Sequence, residues 1–315
     1  MQDLINLCAD FIKNFTFPIN YNQLATQLAI ITKANYKLHN IPFEPDIRFE
    51  EMNAFGASGK VANQSKTIIF NKKRIETILN LNIDCFDKNH LETLWNFYNT
   101  YQDSTPHDEY QEYLYAFMQK YISLNSTEYF AQIGSFKTIP FDLIETLLHE
   151  NQHVFQKYFW TLFLNGEVEP NEKNAIMIFT MTFTSIFNQL KNRNIETNYA
   201  RQNHIFPVEF DARYTTMHIL SQLQVKHFQN NTTFNQGLKN SNIIPQDFDI
   251  EATADSIFSD YLMIYEKYQE LSPDDYLSEH EFICKHKETI INEIKRRYHE
   301  MLSICSACNI DEKGN

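Results

Sequence analysis

His149-Glu150-Asn151-Gln152-His153 is the stretch of this chain whose residue types and spacing can do chemistry. On a helix, positions i and i+4 stack on one face, so His149 and His153 can turn two imidazole nitrogens toward one ion. Glu150 is displaced too far around the helix to share that ion comfortably, but it can reach a water bound to it. Zinc lowers the pKa of such a water to about 7, and a neighbouring carboxylate can accept its proton as the oxygen attacks a carbonyl. The pentapeptide lies in an apolar run, Phe141-Asp-Leu-Ile-Glu-Thr-Leu-Leu-His149, with helical periodicity, and Pro140 is well placed at its start.

A catalytic zinc needs a third protein ligand and one open position. His153 is followed by Val-Phe-Gln-Lys-Tyr-Phe-Trp160, without the Gly and third His that follow the helix in metzincins, so the ligand must come from further on. The leading candidate is Glu209 in Pro207-Val-Glu-Phe-Asp-Ala-Arg213, at a helix start, with Asp211 or Arg213 behind it. Glu251, in Ile250-Glu-Ala-Thr-Ala-Asp255, opens another helix and is the rival. Either glutamate also suits a first helical turn for its charge alone. Tyr199, His204, Tyr214 and His218 are the candidates to stabilise an oxyanion. His280 and His286 are six residues apart, the wrong spacing for one helix face, and read as a solvated face. His299-Glu300 lacks a second His four residues on. Glu150-x-x-His153 also has the form used by di-iron bundles, but those need the motif twice, and it does not recur. Cys305-x-x-Cys308 has no second pair to complete a thiolate zinc site.

His149-Glu150-x-x-His153 followed by Pro207-x-Glu209-x-Asp211-Ala212-Arg213 resembles the zincin metallopeptidases of the gluzincin type. The resemblance implies His149, His153 and Glu209 as ligands to Zn2+ and Glu150 as general base. It implies a zinc-dependent metallopeptidase that hydrolyses a peptide bond through a zinc-bound water activated by Glu150. It covers roughly residues 60–225 and departs from the family in its interval, since 55 residues lie between His153 and Glu209. It also implies an edge strand that binds substrate by β-augmentation, a role that Lys66-Thr-Ile-Ile-Phe-Asn71 resembles. The alternatives are a non-enzymatic interaction or toxin-like protein with a structural or degenerate metal site, and a metallohydrolase acting on something other than peptides.

The elements that must position these residues follow from pattern. Leu4, Ile5, Cys8, Phe11 and Ile12, then Leu24, Leu28 and Ile31, predict two helices in the first 40 residues. Asp46–Met52 and Lys66–Asn71 predict a hairpin or a pair of strands around Gly56-Ala-Ser-Gly59. Helices are predicted over 73–81, 89–102, 108–123, 140–165, 172–191, 207–229, 250–270 and 278–304, the last opened by the capping box Ser278-Glu-His-Glu281. Loops are predicted over 103–107, 124–139, 165–171, 192–206, 230–249 and 271–277. The fold class expected is α+β, predominantly helical, with a zincin-like small sheet packed on the motif helix and a helical C-terminal lobe. Residues 1–135 would carry the N-terminal helices and the sheet with its edge strand, and 136–315 the helical lobe with the ligands.

Composition removes several other functions. The 315 residues carry 27 basic and 40 acidic side chains, a formal net charge of −13, which repels phosphate backbones. The densest basic run, Lys295-Arg296-Arg297, is too short to reverse that, so neither nucleic acid nor a membrane is the expected partner. A peptide or protein substrate is. Six glycines in the whole chain argue against glycine-rich phosphate loops. No run of 18 uncharged apolar residues occurs, and the N-terminus lacks the basic and apolar regions of a signal peptide. Five scattered cysteines do not form a disulfide framework. A cytoplasmic setting is expected, or a recipient cell reached by a route that needs no such signal.

Overall fold

The structure, a computed structural model, describes residues 1–16, 18–52, 59–62, 66–72, 75, 139–193, 195, 207–241, 249–273 and 277–307. The helices expected over 73–81, 89–102 and 108–123, the loop expected over 103–107 and most of those expected over 124–139 and 192–206 lie outside the described residues. The fold is α+β and predominantly helical, with a small three-stranded sheet. Among the described residues, no helix is long and apolar enough to cross a membrane. The chain divides into two compact units, Met1–Glu150 with Lys226–Gly237, and Asn151–Val225 with Leu238–Asn315.

In the first unit, α1 (Gln2–Asn14) and α2 (Tyr21–Leu38) pack on each other, burying the expected stripe of Leu4, Ile5, Cys8, Leu24, Leu28 and Ile31. Asn20 caps α2 by accepting the backbone N–H groups of Asn22 and Gln23 at 3.1 and 3.2 Å. Burial pushes the Cys8 thiol up to about 12, so it is an inert core residue. Strands β1 (Asp46–Glu50), β2 (Gly59–Ala62) and β3 (Thr67–Asn71) lie in the order β1-β3-β2. β3 runs parallel to β1, with Phe49 opposite Phe70, and antiparallel to β2, with Val61 opposite Ile68. This corrects the edge-strand expectation. The strand at 67–71 is central, with both sides paired and all five of its residues buried. An uninterrupted β-branched and apolar run is what a strand covered on both faces requires, whereas a half-exposed strand would alternate.

Helix α3 (Ile139–Leu164) carries the His-Glu-x-x-His stretch, and the division between the units falls within it. Pro140 occupies its first turn, where the missing N–H costs nothing. It ends in a glycine cap: Gly166, at φ 73°, donates to Phe163 O at 3.0 Å, and Glu167 donates to Leu162 O at 2.9 Å. A substitution at Gly166 would have to adopt that left-handed backbone.

In the second unit, α4 (Ala175–Asn192) is buried on nearly every side and packs against α5 (Pro207–Leu223), α7 (Ile250–Leu271), α8 (Ser278–Lys285) and α9 (Lys287–Ala307). A helix apolar all round belongs at a core centre. Its Phe179 meets Phe258 at 5.8 Å and Tyr261 at 5.4 Å. The expected single helix over 278–304 is two, with a turn at His286. The capping box also fails: Leu277 is the N-cap, and Ser278, already inside the helix, meets Glu279.

The loop expected over 230–249 contains α6 (Thr232–Asn240). Its sequence is polar and holds a glycine, so local propensity is poor, but Phe234 and Leu238, four apart, are both buried and supply the missing stabilisation. Gly237 packs closely there: a Cβ would stand 3.0 Å from the ring of Phe141, which would have to give way by a few tenths of an ångström.

Asn151 faces the opposite side of α3 from the two histidines. It is fully buried, and neither its amide nitrogen nor its oxygen has a hydrogen-bond partner among the described residues. An unsatisfied buried amide costs about 1–3 kcal/mol. Asn151→Leu is therefore expected to raise unfolding stability by about 1–2 kcal/mol in a urea titration; a loss of that size would show that the amide is satisfied in solution.

Candidate metal centre

His149 and His153 sit one turn apart on α3, as their spacing predicts, and Glu209 stands in the first turn of α5, which opens on Pro207. The coordinating atoms of these three residues all lie within 4.8 Å of one another. His153 Nε2 lies 3.4 Å from Glu209 Oε1. Two donors each about 2.0–2.1 Å from one tetrahedral zinc stand about 3.3–3.4 Å apart, so this spacing suits shared coordination. The side chains of His153 and Glu209 keep 15% and 34% of their exposure. Two imidazoles and one carboxylate make up a three-ligand set that leaves one position open.

The polar residues in the middle of α3 are tied to α5. Gln152 Nε2 donates to Asp211 Oδ2 at 2.8 Å, and Gln156 Nε2 donates to the same oxygen at 2.7 Å and to Val208 O at 2.9 Å. Gln156 Oε1 lies 2.8 Å from His153 Nδ1. The other oxygen of Asp211 is held by Arg297 of α9, at 2.5 Å. Arg297 also binds Glu293 at 2.8 Å and lies over the ring of Tyr214 at 4.7 Å. Burial lowers the Arg297 pKa, but the carboxylates of Asp211 and Glu293 outweigh it and raise the pKa above its ordinary value. Burial likewise raises the Glu293 pKa, and hydrogen bonds from Arg296 and Arg297 more than reverse it, leaving the carboxyl below the usual range. Asp211 is thus the residue that supports the cluster from behind. Arg213 does not pair with it; its Nε is buried without a partner among the described residues.

The remaining expected residues fall elsewhere. Glu251 is two-thirds exposed and pairs with Lys295 at 2.5 Å, away from the histidine pair. Tyr214 donates to Glu300 at 2.6 Å and accepts from Arg296, and His218 is exposed and pairs with Gln222 at 3.0 Å; neither joins the cluster. Tyr199, His204 and Cys308 lie outside the described residues. His280 is not on a solvated face: its ring stacks on Tyr265 with centroids 3.5 Å apart, and Tyr261 Oη lies 3.0 Å from its Nδ1. Sequence reasoning passed over Gln156 and Arg297. Gln156 carried a local signal, one turn after His153 on the same helix face, whereas nothing near Arg297 in the sequence points to Asp211. No known protein family, no characterised protein and no solved structure matches the chain.

Proposed function

We propose that the chain is a zinc-dependent metallopeptidase. The observation that supports this is the convergence of His149, His153 and Glu209, drawn from two helices and far apart in sequence, on one partly exposed point. In this reading His149, His153 and Glu209 would hold a divalent zinc ion, and the chemistry it would supply there is Lewis acidity toward a water and a peptide carbonyl. Glu150, following the first ligand on α3 and only 7% exposed, accepts the proton of the attacking water on its carboxylate. The same carboxylate, once protonated, returns that proton to the departing amine nitrogen, so it ends the cycle as it began. Water is kept from the helix side of the centre by Gln152 and Gln156, which are buried and committed to Asp211.

The test is hydrolysis of a mixed peptide library by the full chain, loaded with one equivalent of Zn2+, against the chelated protein. Cleavage that disappears with the metal and returns on its replacement is the expected result. Stoichiometric zinc with every library peptide intact would overturn the peptidase reading and leave a binding or structural metal site.

A further inference from the structure

We infer that Gln156, held by Asp211 and Arg297, is a positioning residue that locks His153 in the tautomer whose Nε2 lone pair faces Glu209. The inference rests on the reading of His153 as a metal ligand and goes beyond it by naming what orients that ligand. It follows from donor and acceptor accounting. Val208 O and Asp211 Oδ2 can only accept, and one atom of the Gln156 amide lies 2.9 and 2.7 Å from them, so that atom is the nitrogen. The oxygen of the same amide is then turned to His153 Nδ1, 2.8 Å away. An amide oxygen cannot donate, so Nδ1 must carry the hydrogen, and in the neutral ring Nε2 then holds the lone pair, 3.4 Å from Glu209 Oε1. A neutral imidazole with a free Nε2 is the form that binds a metal, and its ring orientation is fixed by the bond at the other nitrogen.

The lock cannot turn over easily. Flipping the Gln156 amide would set its oxygen against a backbone carbonyl and a carboxylate, in a residue with no exposed surface. Asp211 is itself fixed, because Gln152 and Gln156 fill Oδ2 and Arg297 holds Oδ1. Arg297 stands 86 positions further along the chain than Asp211, so the last described helix reaches the metal ligand through two side chains.

The experiment is a long-range proton–nitrogen correlation spectrum of histidine-labelled, metal-free full chain, recorded at rising pH until the nitrogen shifts of His153 are those of a neutral ring, together with Zn2+ affinity by chelator competition. His153 is assigned by comparison with His153→Gln. The parent protein is expected to show His153 as the Nδ1–H tautomer. Gln156→Leu is expected to give a mixture of tautomers and a Zn2+ affinity about 10–100-fold weaker. A dominant Nε2–H tautomer in the parent protein overturns the inference, whether or not the variants fold. So does a folded Gln156→Leu protein with unchanged tautomer and affinity. Neither measurement involves a peptide, so failure of the lock and failure of the peptidase reading are separately visible.

Discussion

His153→Ala is expected to weaken Zn2+ binding by more than about 100-fold, beyond the 10–100-fold typical of losing a group behind a ligand. Glu251→Ala should leave it unchanged. Both residues are plausible from spacing alone, and their surroundings separate them. Glu251 is exposed on α7 and already paired with Lys295, whereas His153 Nε2 and Glu209 Oε1 stand 3.4 Å apart. Removing the imidazole deletes a ligand and also strands the Oε1 of Gln156, an atom in a fully buried side chain. Chelator competition on the two variants and the parent checks this. Equal affinity in His153→Ala and the parent would remove the basis for a metal at this point of α3.

How much of this was legible in the sequence depends on the range of the contact. The histidine pair was fully readable, because a helical repeat places residues four apart on one face whatever else the chain does. Glu209 was readable through Pro207, which marks a helix start and puts the carboxylate in its first turn. Arg297 was not, since its partner is 86 positions away and only packing decides which basic residue of the Lys295-Arg296-Arg297 run turns inward. The central position of β3 was encoded but misread. Thr67-Ile-Ile-Phe-Asn71 has no alternation, which signals two covered faces, and the edge assignment came from the family resemblance rather than from the pattern. Helix α6 shows the opposite limit. Its composition favours a loop, and the anchors Phe234 and Leu238 act only once the rest of the fold has made a place for them.

Glu150→Gln is expected to lower kcat for peptide hydrolysis by about 10²–10⁴-fold while leaving Zn2+ affinity within a factor of two or so of the parent. The substitution keeps the size and shape of the side chain and removes only its ability to take up a proton. On α3, Glu150 lies about 100° around the helix from His149, off the face that carries both imidazoles, so it is not needed as a ligand. Glu150 is 7% exposed, and a buried base returns a proton to the substrate instead of losing it to bulk water. The pair of measurements separates three outcomes. Lost turnover with retained zinc assigns the proton transfer to Glu150. Turnover within tenfold of the parent places the base elsewhere and removes the central step of the mechanism. Loss of zinc along with turnover would mean that Glu150 helps to hold the ion, and the open position assumed for the substrate would then have to be sought among different ligands.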